Sequence, residues 1–338
     1  MQNNNQTTGT TRDGFGKALM ELGVNNAQVM VLCADLTESM RAHWFKNEFP
    51  LRFLEMGVQE ENMIGISAGL SLTEKIPFAC SYATFLTTNA LGPIRASVCY
   101  TNANVKIIGG HAGITTGEDG ATHQALEDIA VMRTLPNMTV IVPADEEEAR
   151  QATHAISKHI GPCYLRIGKN KTTTLTQQDD FSFKIGKAII MNPKQNDKAQ
   201  VTIVACGNMV ALAHKAAQNL CAGMGGEDNI CTEVINMHTI KPLDIKTVLK
   251  SLKKTGALIT IEDHQVIGGL GSAVLEAVAT NNPQLLSVPA VIMGIQDSFG
   301  ESGKPAELLE KYQLDLTSIE KQIKKVVQLK KDNTKKTS

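Results

Sequence analysis

Residues 111–124, HAGITTGEDGATHQ, gather two histidines, a Glu-Asp pair and three glycines into fourteen positions. Glycine loses more backbone freedom on ordering than any other residue, so three in one loop call for tight turns or for a ligand. The imidazoles of His111 and His123 donate, accept and transfer protons near neutral pH. An ionised Asp119 accepts hydrogen bonds from hydroxyl groups. That set suits a polyhydroxylated substrate such as a sugar phosphate. Two other readings stay open on these residues alone. A metal would take His111, Glu118, Asp119 and His123, although their spacing matches no compact zinc signature and no HExxH helix is present. Alternatively, the glycines only make turns and Asp119 only caps a helix.

Two further stretches carry candidate chemistry. In EMGVQEENMIGISAGLSL, residues 55–72, Glu60 stands where a loop passes into a helix thinned by Gly65, Ser67, Ala68, Gly69 and Ser71. Small residues let another helix approach closely, which predicts a packed domain or subunit interface. Glu60 by itself also fits a plain helix-start charge favoured by the macrodipole. In SYATFLTTNALGPIRAS, residues 81–97, Tyr82 and Phe85 stand out because aromatic residues make up only 4% of the chain. An aromatic ring after a strand can stack on a flat heterocycle, or simply fill the core.

The elements that must position these groups follow a regular rhythm. VMVLCAD (29–35), IPFACSY (76–82), VKIIGG (105–110), MTVIVPA (138–144) and CYLRIG (163–168) are apolar runs of strand length. RDGFGKALMELG predicts a helix that starts after Thr11 and ends at Gly23, and HQALEDIAVMRTLP predicts another that stops at Pro136. Alternating strands and helices imply α/β architecture, with a mostly parallel sheet covered on both faces. In such sheets ligands bind at the carboxyl ends of the strands, where the 111–124 loop falls. The Thr-, Gln- and Lys-rich stretch 169–184 reads as a linker. A second α/β unit follows, with VTIVACG (201–207), a helix to about Leu220, TEVINMHTIKPLD, ALITIEDH (257–264) and the helix GGLGSAVLEAVA. The expected organisation is a first domain over 10–168 and a second over 185–338. His264 reads as a structural or interface histidine. GGLGSA (268–273) is not GxGxxG, which argues against a dinucleotide-binding module. The tail from Lys321 carries seven lysines against one acid and predicts a solvated, fraying helix end.

Composition bounds the function. A chain of 338 residues has room for two cores, and 42% hydrophobic with 20% charged residues is ordinary for a globular protein. A net charge of −1 argues against bulk attraction to nucleic acid or anionic membrane. Seven cysteines, with no CxxC pair and an odd one over, predict buried reduced thiols and a cytoplasmic location. The polar start MQNNNQTTGTTRDG has no apolar signal-peptide core.

The motifs in order, GVQEENM, TFL, GEDGATHQ and LPNMTVIVPADEEEA, resemble the C-terminal half of the transketolases. The likeness runs from about Arg12 to the end. The resemblance implies a pyrimidine-binding domain of the thiamine-diphosphate enzymes followed by the transketolase C-terminal domain. It implies two-carbon ketol transfer between sugar phosphates, with thiamine diphosphate and Mg²⁺ as cofactors. By position, Glu60 matches the glutamate that hydrogen-bonds N1′ of the cofactor's aminopyrimidine. Phe85 matches a ring of the pyrimidine pocket, with Tyr82 beside it. His111 and His123 match substrate-facing histidines, and Asp119 the reader of a substrate hydroxyl. Arg12, Ser39 and Arg166 resemble a phosphate-binding set.

Several positions depart from that pattern. Thr88 replaces a second aromatic, and Gln59 and Glu61 flank Glu60 unusually. The GDG…N motif that clamps Mg²⁺ in the family has no counterpart here, because GEDG already belongs to the substrate loop. The resemblance therefore implies one subunit of a split enzyme, with Mg²⁺ held by an N-terminal-section partner in an α₂β₂ assembly. Deoxyxylulose-phosphate-synthase-like activity, an unusual pentulose phosphate as substrate, and a non-catalytic partner subunit are the alternatives.

Overall fold

A computed structural model describes residues 7–176, 181–191, 198–221 and 229–337. The first helix spans Thr11–Asn25, and Thr10 caps it by accepting from the Asp13 amide. The cap thus lies one residue before the expected Thr11, and the helix runs past Gly23 to Asn25. Glu146–Lys158 forms a second long helix, capped by Asp145 and opened by three glutamates that favour its positive end. The two helices pack side by side. The apolar runs form strands at Val29–Cys33, Ile76–Tyr82, Lys106–Gly110, Thr139–Ile141 and Cys163–Arg166.

These strands build a seven-stranded sheet. Its order is 239–241, 139–141, 163–166, 106–110, 76–82, 29–33 and 53–55. Every pairing is parallel except that of Thr239–Lys241 with Thr139–Ile141. The strand 239–241 comes from the second half of the chain, so the sheet itself joins the two halves. A second sheet, in the order 290–295, 258–265, 201–205, 232–236 and 189–190, is parallel except at its last pair. One buried apolar cluster runs without a break from Leu32 and Ile107 of the first sheet to Val204, Ile235 and Leu270 of the second unit. Within the segment 169–184, Thr172–Thr173 pair antiparallel with Thr8–Gly9, and Asp145 accepts from the amides of Leu175 and Thr176. Residues 177–180 of that segment lie outside the described residues.

Three expectations need correction. The helix expected to begin near His123 covers only Asp128–Thr134. Residues before it serve the loop instead: Ala125 bridges Ala112, and the Gln124 amide donates to the carbonyls of Ile114, Gly117 and Glu301. The C-terminal tail does not fray from Lys321. It continues the helix Leu316–Thr337, whose Ile319, Ile323, Val326 and Val327 form a stripe buried against the second core. Finally, Cys221 and Cys231 form a disulfide, with Cα atoms 4.7 Å apart. The Ile230 amide donates to the Leu220 carbonyl and brings the helix end and the next strand together. Cys33, Cys80, Cys99, Cys163 and Cys206 are buried free thiols, and burial raises their thiol pKa values. Among the described residues, no helix is long and apolar enough to cross a membrane.

Candidate active site

The strand Ile76–Tyr82 ends at the carboxyl edge of the first sheet, and its last residues organise the site. The Ser81 hydroxyl donates to Glu60 Oε1 at 2.8 Å. Glu60 is the first residue of the helix Glu60–Ser71 and is only 3% exposed. A buried carboxylate at a helix start is stabilised by the macrodipole and by the hydroxyl it accepts. On the same helix, a Cβ at Gly65 or Gly69 would meet no atom of the described residues within 4 Å. This glycine face is therefore bare in the single chain.

Tyr82 stands at the centre of a ring cluster. It stacks on His111 with centroids 4.0 Å apart and on Phe85 at 5.8 Å. His123 meets Tyr82 and Phe85 edge-on, at 5.9 and 5.4 Å. Offset and edge-on contacts of this kind suit the charge distribution of aromatic rings. His111 is buried, and its pKa is pushed down to about 3 by burial and then by the positive charges of Arg12 and Lys169. It is therefore a neutral imidazole at ordinary pH, able to hydrogen-bond but carrying no charge. Thr88, at the place of the missing second aromatic, is exposed and bonds back to the Thr84 carbonyl.

Asp119 is exposed and accepts from Lys169 Nζ at 2.6 Å. Arg12 donates to the backbone carbonyl of Ser39 at 3.3 Å, while its Nε is buried without a partner among the described residues. Arg12 thus keeps donor capacity for an anion beside the ring cluster. Arg166 is anchored from within the chain. It is 6% exposed, and its Nε donates to Asp128 at 2.8 Å. Its Nη2 donates to the carbonyls of Ala125 and Asp263. Tyr164 donates to the same Asp128 oxygen at 2.7 Å, which closes a buried polar network. Nε and Nη2 are thus committed inward, while Arg166 also lines a cavity with Thr11, Gly168 and Asn170. Lys169, three residues further on, is the cation that faces the loop. It was hidden in the apparent linker, and its position just past the end of a parallel strand was the available signal. His264 lies at the domain junction, where its Nε2 accepts from the Ala130 amide. Among the described residues, no group of three or more His, Cys, Asp or Glu stands together to hold a metal.

Known proteins resemble this chain over nearly its whole length. The transketolase pyrimidine-binding domain family matches residues 8–174, and the transketolase C-terminal domain family matches 191–319. The chain belongs to the transketolase family. It is 43% identical to a putative transketolase C-terminal section of Methanocaldococcus jannaschii, over 92% of this chain and 94% of that one. It is 39% identical to a 6-deoxy-6-sulfo-D-fructose transketolase subunit of a Clostridium species, over 91% of each chain. A solved structure described as a split gene transketolase, inactive beta4 tetramer, superposes with a TM-score of 0.83 at 41% identity, covering 95% of this chain and 99% of the other. This transketolase chain is therefore matched nearly end to end by separate C-terminal sections. Family membership makes it part of a transketolase-type enzyme that depends on thiamine diphosphate.

Proposed function

We propose that the chain is the pyrimidine-side subunit of a cytoplasmic split transketolase and works only with a second subunit that carries the diphosphate and Mg²⁺ site, in an α₂β₂ assembly. The observation that carries this reading is Glu60. A buried, hydroxyl-held carboxylate opens a helix whose glycine face is bare, and its partner Ser81 directly precedes Tyr82 of the ring cluster. The residues present fit the aminopyrimidine end of thiamine diphosphate: Phe85 and Tyr82 offer ring faces, and Glu60 offers the carboxylate. They do not fit the Mg²⁺-bound diphosphate end, since among the described residues no group of three or more His, Cys, Asp or Glu stands together to hold the metal.

Bound thiamine diphosphate supplies the nucleophilic carbon that cleaves and re-forms the bond beside a ketose carbonyl. Glu60 holds the proton at the pyrimidine nitrogen N1′. His111, neutral, hydrogen-bonds the reacting end of the sugar, and His123 does the same one position further along. Asp119 reads a substrate hydroxyl, and Arg12 with Lys169 binds the remote phosphate. The relative that acts on 6-deoxy-6-sulfo-D-fructose supports a sugar bearing a terminal anion as substrate class.

Calorimetry with thiamine diphosphate and Mg²⁺, with and without an N-terminal-section subunit, tests the reading. The isolated chain should bind the cofactor poorly, and the assembled pair should bind tightly and turn over a ketose phosphate with an aldose phosphate. Gly69→Leu should weaken assembly by about tenfold or more while leaving the melting temperature of the lone chain nearly unchanged. Tight Mg²⁺-dependent binding by the chain alone would overturn the split-site reading.

A further inference from the structure

The backbone of His111 is left-handed, with φ 52°. A residue with a β-carbon holds that conformation only where its surroundings impose it. The first restraint is local, since Thr116 Oγ1 donates to the His111 carbonyl at 2.7 Å. The turn that carries Thr116 is in turn held from the other domain. Asp263, near the end of the strand Leu258–Gln265, places its carboxylate under the turn Ile114–Asp119. The Ile114 amide donates to Asp263 Oδ1 at 2.6 Å, and Thr115 Oγ1 donates to Oδ2 at 2.7 Å. Asn208, just before the helix Met209–Leu220, donates to Oδ2 at 3.0 Å and to Thr115 Oγ1 at 2.9 Å.

The neighbouring residues are shaped for this contact. Gly113, at φ 90°, leaves room for the carboxylate, since a Cβ there would lie 2.3 Å from Asp263 Oδ2. Arg166 grips the Asp263 carbonyl at 2.8 Å, which fixes the backbone behind the carboxylate. Asp263 is itself 2% exposed, so these charge-assisted bonds are made away from water.

We infer that Asp263 is a positioning residue: the C-terminal domain uses its carboxylate to clamp the 113–116 turn and thereby set His111 against Tyr82 for transfer chemistry. The inference rests on the transketolase reading for its catalytic consequence, but not for the clamp itself. It gives the C-terminal domain a task in the active site that needs no ligand of its own.

Asp263→Asn tests it in the full chain, assembled with its N-terminal-section partner. The amide puts a donor against the donors of Thr115 and Asn208, so the loop should loosen. We expect kcat to fall by about 10²-fold, as misplacement of a reacting group by about 1 Å does, with a much smaller change in KM for the ketose. Hydrogen exchange at residues 112–119 should rise while the remaining core stays protected. Thr115→Val, which removes one donor and keeps the shape, should show the same signature more weakly and serves if Asp263→Asn folds poorly. In a His111→Ala background, Asp263→Asn should cost less than about threefold, because both act through one imidazole. Unchanged exchange at 112–119, or an undiminished loss in the His111→Ala background, would overturn the inference. A wild-type complex without transketolase turnover would defeat the functional reading alone, and the exchange comparison would still decide for or against the clamp.

Discussion

The helix that opens at Glu60 and the loop that carries His111 are held in opposite ways. Among the described residues Glu60 has one side-chain hydrogen-bond partner, Ser81, and a Cβ at Gly65 or Gly69 on its helix would meet no atom within 4 Å. The loop is closed within the chain, with Asp263 beneath it, Gln124 bonded across to Glu301 and Lys169 paired with Asp119. Under the split-transketolase proposal, the groups assigned to the substrate are held by this chain alone, whereas the helix that opens at Glu60 keeps a bare glycine face. A split enzyme would be expected to divide its site in this way. On that proposal the subunit that reads the sugar would arrive rigid, and the cofactor would be enclosed only on assembly.

The comparison can be broken most easily at Glu60. Glu60→Gln keeps an acceptor for Ser81 and should leave the fold intact, yet turnover of the assembled enzyme at saturating cofactor should fall by at least about 10²-fold. Near-normal turnover would remove Glu60 from the proton path and with it the cofactor-facing half of the contrast.

Two cations on the loop side sharpen it. Arg166→Ala should act on stability, costing about 3–5 kcal/mol because Asp128 is left buried without its ion pair. Lys169→Ala should instead raise KM for phosphorylated sugars by about tenfold, the scale of one lost charged hydrogen bond, with little effect on melting. Thermal melts and steady-state kinetics on both variants separate the roles. A pure KM effect from Arg166→Ala would reverse the assignment.

The smallest effect is a titration. His111 should stay neutral from pH 8 down to pH 5, since its pKa is lowered from 6.5 to about 3. An unfolded chain takes up that proton first as pH falls. The contribution of a neutral His111 to stability is therefore present above about 6.5 and is lost progressively as pH drops toward 3. The imidazole signal of His111 in NMR should show no inflection between pH 5 and 8. A midpoint near 6.5 would mean that the loop is open to water.

Short-range patterning carried much of this into the sequence. Apolar runs of strand length between capped helices predict the parallel sheets, because period and burial are local properties of the chain. The GEDGATHQ loop, Glu60 and the Tyr82–Phe85 pair were visible for the same reason: each is a compact cluster of unusual residue types. What the sequence could not decide was how side chains far apart in the chain would share partners. Arg166 and Lys169 are three positions apart and both cationic, yet only the sheet's pleat and the packing of the second domain turn one inward to Asp128 and the other out to Asp119. The strand 239–241 crosses into the first sheet, and the lysine-rich tail docks on the second core. Cys221 finds Cys231 across a return of the chain. Asp263, at the end of an apolar run, meets Ile114 and Thr115 only because tertiary packing stacks one sheet's carboxyl edge over the other's loop. Local propensity is written residue by residue, whereas pairing between residues that are not neighbours in the chain is set by which surfaces the folded core brings into contact.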